Sequence, residues 1–279
     1  MITKLIESSR KSGDWSKLSK YFEDNQELPY AEKNASFITA SKIKEFARCP
    51  FCYCKRYVDL APCPGDDSFD KDYFVIGRAF DDLVTLGYKG FDDKYEVVAR
   101  RAKEAEKVQL TERMGRLIAQ MATEFNANEM FAKEPIKKVL FMPFPFNTEI
   151  VKVELDDFDS TNKVIRDVKT CANIKLINPI DYIIQASLYQ LVVEYHMGET
   201  YDVEYEFVDK NDHFSRSQKV IFSNETLHRE RDRIFQIIQD MHQAHQSGIY
   251  LEAEDQNVLF DCPYYGVEGH GRPKQPIII

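Results

Sequence analysis

The amino-acid sequence predicts an α/β fold in which helices flank a small mixed central sheet, joined to a helical N-terminal part. Hydrophobic residues recur at helical spacing between positions 114 and 125, which indicates an amphipathic helix. Three short segments after Pro135, residues 139–146, 150–155 and 163–168, are rich in β-branched and aromatic residues. Strand-like and helix-like segments then alternate, as they do in layered α/β proteins.

The sequence predicts that the first half of the chain is mainly helical. We expect residues 1–35 to form a loosely packed extension that contains one helix. Thr39 or Ser41 can cap a short helix that ends at Cys49 and Pro50, and a loop over residues 61–72 leads to a second helix that begins near Ile76. We therefore expect a first domain boundary near residue 35.

Further helices and a hairpin follow the three strand-like segments. Pro179 opens a helix over residues 181–196, residues 201–208 and 218–222 suggest a hairpin, and Asn224 caps a long helix. No internal repeat or long linker is visible. The sequence thus predicts one domain over residues 36–260, followed by a tail over residues 261–279.

The amino-acid composition limits the kinds of protein that this chain can be. A chain of 279 residues with 43% hydrophobic residues can bury one sizeable core. The net charge of −9 argues against coating nucleic acid by charge alone, but it does not exclude an acidic site whose bound cations reverse the local field. Because no export signal or long apolar stretch is visible, we expect a cytoplasmic protein with no membrane partner.

Three segments carry residues that suit phosphodiester chemistry. Asp156 ends one strand-like segment, Asp167 and Lys169 lie in the next, and Gln185 and Tyr189 follow on a helix. If the two strand-like segments form an antiparallel hairpin, both Asp side chains meet, and Asp167 and Lys169 share one face. Carboxylates hold Mg²⁺ or Mn²⁺, and a lysine positions water or offsets charge in the transition state.

The same triplet also occurs without a strand context, because Asp92, Asp93 and Lys94 repeat its form. An exposed strand pair is therefore the alternative reading for Asp167 and Lys169 taken alone. The ordered set of segments favours the catalytic reading, since context is what gives a short motif its meaning.

These segments resemble the RecB-like branch of the PD-(D/E)xK nuclease superfamily, which includes RecE-type (exodeoxyribonuclease VIII-like) phage exonucleases and CRISPR-associated adaptation nucleases. Residues 38–57 and 76–81 resemble upstream segments of the same branch, so the likeness spans roughly residues 36–265. The resemblance implies a restriction-endonuclease-like core and a Mg²⁺- or Mn²⁺-dependent exonuclease that acts on DNA ends. It also suggests that the protein forms a ring-shaped homo-oligomer. A single-strand annealing recombinase is the partner that the resemblance suggests.

The resemblance assigns roles residue by residue. It implies that Asp81, Asp156, Asp167 and the backbone carbonyl of Val168 bind the metal, and that Gln185 and Tyr189 orient the DNA backbone or the catalytic lysine. Asp81 stands where the branch usually carries His, and Val153 stands where it commonly carries Gly. A solvated helix position is the alternative for Asp81, and packing is the alternative for Tyr189.

Cysteines leave a further question open. Cys49, Cys52, Cys54 and Cys262 could supply the four thiolates of an iron–sulfur cluster. Cluster-bearing relatives usually contribute one N-terminal and three C-terminal cysteines, whereas this chain has the inverse arrangement, so we favour plain thiols. A cluster-bearing nuclease of the CRISPR-adaptation kind and a non-catalytic DNA-binding protein that keeps the nuclease fold are the two rival interpretations.

Overall fold

A computed structural model describes residues 2–25, 34–61, 72–102, 105–127, 136–210 and 216–250. The helices in chain order are α1 (Ile2–Ser12), α2 (Ser16–Asp24), α3 (Ala40–Arg48), α4 (Pro50–Tyr53), α5 (Asp72–Lys94), α6 (Glu112–Ala127), α7 (Ile183–Met197) and α8 (Asn224–Ser247). The strands are β1 (Tyr95–Val98), β2 (Val108–Thr111), β3 (Lys138–Pro143), β4 (Ile150–Leu155), β5 (Asp157–Asp159), β6 (Val164–Cys171), β7 (Asp202–Asp209) and β8 (Ser217–Phe222). Among these residues, no helix is long and apolar enough to cross a membrane.

The chain divides into two compact units. The first comprises residues 1–66, 139–153 and 225–279, and the second comprises residues 67–138 and 154–224. The domain boundaries that the sequence suggests, near residues 35 and 260, stay a prediction, and the tail over residues 261–279 lies outside the described residues.

The N-terminal segment packs more tightly than we expected. Its residues 2–25 form two helices, and Trp15, Leu18 and Phe22 are buried in a core cluster that also includes Phe37 and Phe141. Burying these large side chains yields roughly 1.5–3 kcal/mol each, which holds short polar helices in place. The expectation of a loosely packed extension was wrong. A few large side chains hold the segment in the core, although its hydrophobic residues show little helical periodicity.

The second unit is built on a mixed sheet in the order β5-β6-β7-β8. Strands β5 and β6 are antiparallel, β6 and β7 are parallel, and β7 and β8 are antiparallel. A parallel pair requires a crossover connection, and α7 provides it between β6 and β7. The predicted α/β class with a small mixed sheet flanked by helices is confirmed.

Two strand predictions differ from the structure. We expected residues 150–155 to pair with residues 163–168, but β4 pairs with β3, and the short strand β5 pairs with β6 instead. The parallel pair β1–β2 was not predicted, because four-residue strands are too short to show a period.

Alternating residues of β6 separate the core from the polar face of the sheet. Val168 packs with Val208 in a hydrophobic cluster with α5 and α6. Its neighbours Asp167 and Lys169 point to the opposite face, since successive strand side chains alternate. The strand therefore packs Val168 against α5 and α6 on one face and places Asp167 on the buried face that contacts α7.

Gly77 on α5 lies close to the end of β6. A Cβ at this position would lie 2.9 Å from Thr170 Oγ1 and 3.3 Å from Lys210 Nζ. The absence of a side chain thus lets the first part of α5 approach the strand that carries Asp167 and Lys169.

We predict that Gly77→Ala lowers stability. Gly→Ala in a helix usually stabilises by about 0.4–1 kcal/mol, but overpacking costs about 1–3 kcal/mol and should win here. Thr170→Ala in the same chain removes the clashing hydroxyl and should restore the melting temperature. Thermal unfolding of the two single variants and the double variant tests this, and an unchanged or raised melting temperature for Gly77→Ala would contradict it.

Candidate active site

Asp167 is the centre of a hydrogen-bonded cluster between β6 and α7. Its side chain is 1% exposed, its Oδ2 contacts the Lys169 ammonium group, and the Tyr189 hydroxyl donates to its Oδ1 at 3.2 Å. Gln185 Nε2 donates to the Tyr189 oxygen at 2.6 Å and lies 3.5 Å from Asp167 Oδ1. The structure brings these four predicted residues together, and their catalytic roles stay a prediction.

Asp156 reaches the same strand through a backbone contact. It lies between β4 and β5, and its Oδ2 accepts a hydrogen bond from the Val168 N–H at 3.2 Å. The next residue, Asp157, is fixed by Arg166, whose Nη1 lies 2.9 Å from Asp157 Oδ2. The Val168 amide thus binds Asp156, while the predicted metal-binding role of the Val168 carbonyl stays untested.

Asp81 lies on α5 and faces a lysine that the sequence did not single out. Lys137 Nζ lies 3.6 Å from Asp81 Oδ2, and Asp81 Oδ1 is buried without a hydrogen-bond partner among the described residues. Ile136 N–H donates to Asp157 Oδ1 at 3.0 Å, which places Lys137 beside β5. The sequence gives no motif that includes Lys137. Its position near Asp81 depends on the long-range contact between Ile136 and Asp157.

The three carboxylates influence one another electrostatically. Burial and, to a smaller extent, the Asp156 carboxylate together raise the pKa of Asp81 to about 6, although Lys137 opposes the shift. Burial raises the pKa of Asp167 to about 7, with Lys169 opposing and Asp156 adding to the rise. Burial alone would lower the pKa of Lys169, but Asp167 and Asp156 outweigh it and raise that pKa. The cluster therefore favours the binding of positive charge.

The donor chemistry fits a hard divalent cation. Asp81, Asp156 and Asp167 offer only oxygen ligands, which suit Mg²⁺ or Mn²⁺, and the buried Oδ1 of Asp81 lacks a donor. Within the described ranges, however, no three His, Cys, Asp or Glu side chains are grouped closely enough to hold a metal as they stand. Lys137, the Val168 amide and Lys169 each engage one carboxylate, so binding an ion requires these side chains to reorient.

Three of the four candidate cluster cysteines, Cys49, Cys52 and Cys54, lie among the described residues of the first unit. In the first unit, Cys49 and Cys54 are free thiols, whereas Cys52 takes part in a disulfide bond. Cys49 Sγ accepts the Cys52 N–H at 3.4 Å, which caps α4. Cys262 lies outside the described residues. An iron–sulfur cluster on these four residues stays a prediction, and it would require Cys52 to be reduced.

Comparisons with known proteins agree with the geometry. The family model described as the PD-(D/E)XK nuclease superfamily matches residues 38–265, so the chain belongs to this superfamily. Membership implies a nuclease, and enzymes of this superfamily generally use divalent metal ions. The family model does not define a RecE-type or phage subfamily.

Two solved structures are similar to the chain. One is a crystal structure described as a "Putative exonuclease" from Eubacterium rectale, with a TM-score of 0.64, 15% sequence identity, and coverage of 91% of this chain and 95% of that chain. The other, SSO0001, has a TM-score of 0.46, 11% identity and 98% coverage of both chains. The first likeness supports the fold. No curated protein matches the chain.

We predict that divalent-ion affinity rises as the pH increases from about 6 to about 8. Cation binding requires ionised carboxylates, and the pKa values of Asp81 and Asp167 are raised to about 6 and about 7, so protons compete with the ion at the lower pH. Titration calorimetry with Mn²⁺ should show roughly tenfold tighter binding at the higher pH and proton release near neutral pH. Asp167→Asn should weaken binding and reduce its pH dependence, and an affinity that does not change with pH would contradict the electrostatic account.

Proposed function

We propose that this protein is a divalent-metal-dependent deoxyribonuclease that hydrolyses phosphodiester bonds from DNA ends. The observation that carries the proposal is the buried Asp167, which is held by Lys169 and Tyr189 beside Asp156 and Asp81. Membership in a nuclease superfamily supports hydrolysis, and the name of the Eubacterium rectale neighbour agrees with action on ends.

Asp81, Asp156 and Asp167 would hold the divalent ion. The ion supplies Lewis-acid stabilisation of charge on the phosphate when it is bound. The three carboxylates come from α5, the β4–β5 junction and β6, so separate elements of the second unit contribute to one site. Lys137, the Val168 amide and Lys169 now contact oxygens of these carboxylates, so ion binding requires Lys137 to leave Asp81 and the carboxylates to turn toward the ion.

Lys169 supplies positive charge rather than a base. Its raised pKa keeps the ammonium group protonated at neutral pH, where it can donate hydrogen bonds to a phosphate oxygen or to the attacking water. A buried cation that contacts Asp167 also fixes that carboxylate in place. Loss of the amine therefore removes both charge on the substrate side and support for a metal ligand.

Gln185 and Tyr189 position Asp167. The four-residue step places both on one face of α7. The Tyr189 hydroxyl donates to Asp167 while accepting from Gln185, so the orientation of the carboxylate is set by a two-member chain of hydrogen bonds. A RecE-type affiliation, a ring-shaped oligomer and a recombinase partner are further proposals, which rest on the sequence resemblance alone. A cytoplasmic location is also a proposal, and it rests on the amino-acid composition.

We predict that the protein digests end-labelled linear DNA with Mg²⁺ or Mn²⁺, leaves closed circular DNA intact and loses activity in EDTA. Lys169→Ala should lower the rate by roughly a hundredfold or more, because electrostatic groups in such sites contribute on this scale. Lys175→Ala, which changes an exposed lysine beyond the end of β6, is the matched control and should keep full activity.

The outcomes separate the rival functions. Cleavage of circles would indicate an endonuclease. An absence of cleavage with every metal would favour a non-catalytic DNA-binding protein. Full activity of Lys169→Ala would contradict the assignment of the site, even if the protein degrades DNA.

A further inference from the structure

Two aromatic side chains are exposed at the start of α5. Tyr73 and Phe74, here called the aromatic pair, are 43% and 45% exposed, and their rings meet edge to face with centroids 5.2 Å apart. The neighbouring α5 residues Ile76, Ala79 and Phe80 are buried in the core. The pair is therefore exposed at the start of a helix that packs Ile76, Ala79 and Phe80 inside.

Two cationic side chains, Lys210 and Arg101, lie near the aromatic pair. Lys210 Nζ lies 3.3 Å from the centroid of the Tyr73 ring and donates to the Tyr73 carbonyl oxygen at 3.0 Å. Arg101, from the basic run that begins at Arg100, contacts Asp72 at 2.8 Å and its side chain is 38% exposed. Exposed aromatic rings next to cationic groups are the combination that binds single-stranded nucleic acid, because bases stack on the rings and phosphates meet the charges.

The pair is aligned with the candidate active site. Tyr73, Gly77 and Asp81 are spaced four residues apart, so they follow one face of α5. Gly77 lies against Thr170, the residue after Lys169, and the Lys210 N–H donates to the Cys171 carbonyl at 2.8 Å. The same surface thus borders the end of the strand that carries Asp167.

The separation suits a short stretch of nucleotides. Eight residues of α-helix rise about 12 Å, so Tyr73 lies roughly that distance along α5 from Asp81. Stacked nucleotides in one strand rise about 3.4 Å each, so this distance corresponds to about three or four of them. A strand with a phosphate at the cation that Asp81 would help to hold can therefore reach the aromatic pair with bases only a few positions away.

We propose that the aromatic pair, with Lys210 and Arg101, binds the unpaired nucleotides of a DNA strand that enters the candidate active site. The substrate class is then a single-stranded or frayed DNA end, since bases must be unpaired to stack on side chains. The position of the cut phosphate rests on the proposed function, whereas binding of the strand does not require cleavage.

The test compares DNA binding by the wild type and four variants. The double variant Tyr73→Ala/Phe74→Ala removes both rings, and Tyr73→Trp keeps a stacking surface. As a matched control, Tyr88→Ala removes a 78% exposed tyrosine that lies beyond the kink at Gly87 in α5. Fluorescence anisotropy in EDTA would measure binding to a labelled single-stranded oligothymidylate and to a blunt-ended hairpin duplex. Because the replaced side chains are exposed, circular dichroism and thermal unfolding should match the wild type.

The double variant should bind the single strand at least tenfold more weakly, since stacking contributes roughly fivefold or more per base. Its binding to the duplex should change less than twofold, and Tyr73→Trp and Tyr88→Ala should both bind like the wild type. Lys210→Met should reduce the slope of log affinity against log salt by about one, as expected for one lost phosphate contact.

An unchanged single-strand affinity, or equal losses for both DNA forms, would overturn the proposal. Failure of the proposed function would give a different result. In that case the wild type would not cleave DNA, but the double variant would still bind single-stranded DNA more weakly than the wild type. If the wild type cleaves DNA while the double variant keeps the same kcat/KM on single-stranded and blunt ends, the surface assignment is wrong and the nuclease assignment stands.

Discussion

The buried carboxylate of Asp167 is the constraint on which the site depends. A charged group that is 1% exposed is costly unless it is paired and hydrogen-bonded, and Lys169 and Tyr189 meet this requirement from the same strand and from α7. Because Asp167 needs both partners, β6 and α7 must be positioned so that Lys169 and Tyr189 both reach its carboxylate. The proposed chemistry uses the same groups, because a carboxylate that is held by a lysine beside two further carboxylates is prepared to accept a divalent ion.

The two faces of β6 explain how the fold presents these groups. Val168 packs into the core with α5 and α6, and this anchorage directs Asp167 and Lys169 to the other face. Asp156 binds the Val168 amide, while the close approach of Gly77 to Thr170 brings α5 and Asp81 to the end of the strand. One strand thus links the hydrophobic core, the carboxylates and the exposed aromatic pair of α5.

The sequence predicted which side chains lie together when they belong to the same strand or the same helix. Asp167 and Lys169 share a strand face, and Gln185 and Tyr189 share a helix face, so two simple periods place them. Lys137 could not be found in this way, because its position depends on a contact between residues 136 and 157. The packing of Trp15 and the pairing of β5 with β6 likewise depend on long-range contacts that short patterns do not record.

We propose that Asp81, Asp156 and Asp167 form one cation site supported by Lys169. Anomalous diffraction from crystals soaked in Mn²⁺ would locate the ion and its ligands in one experiment. We expect a peak bound by oxygen atoms of all three carboxylates, with the Lys137 ammonium displaced from Asp81. A peak elsewhere, or an Asp81 carboxylate that stays paired with Lys137 at saturating Mn²⁺, would contradict this assignment.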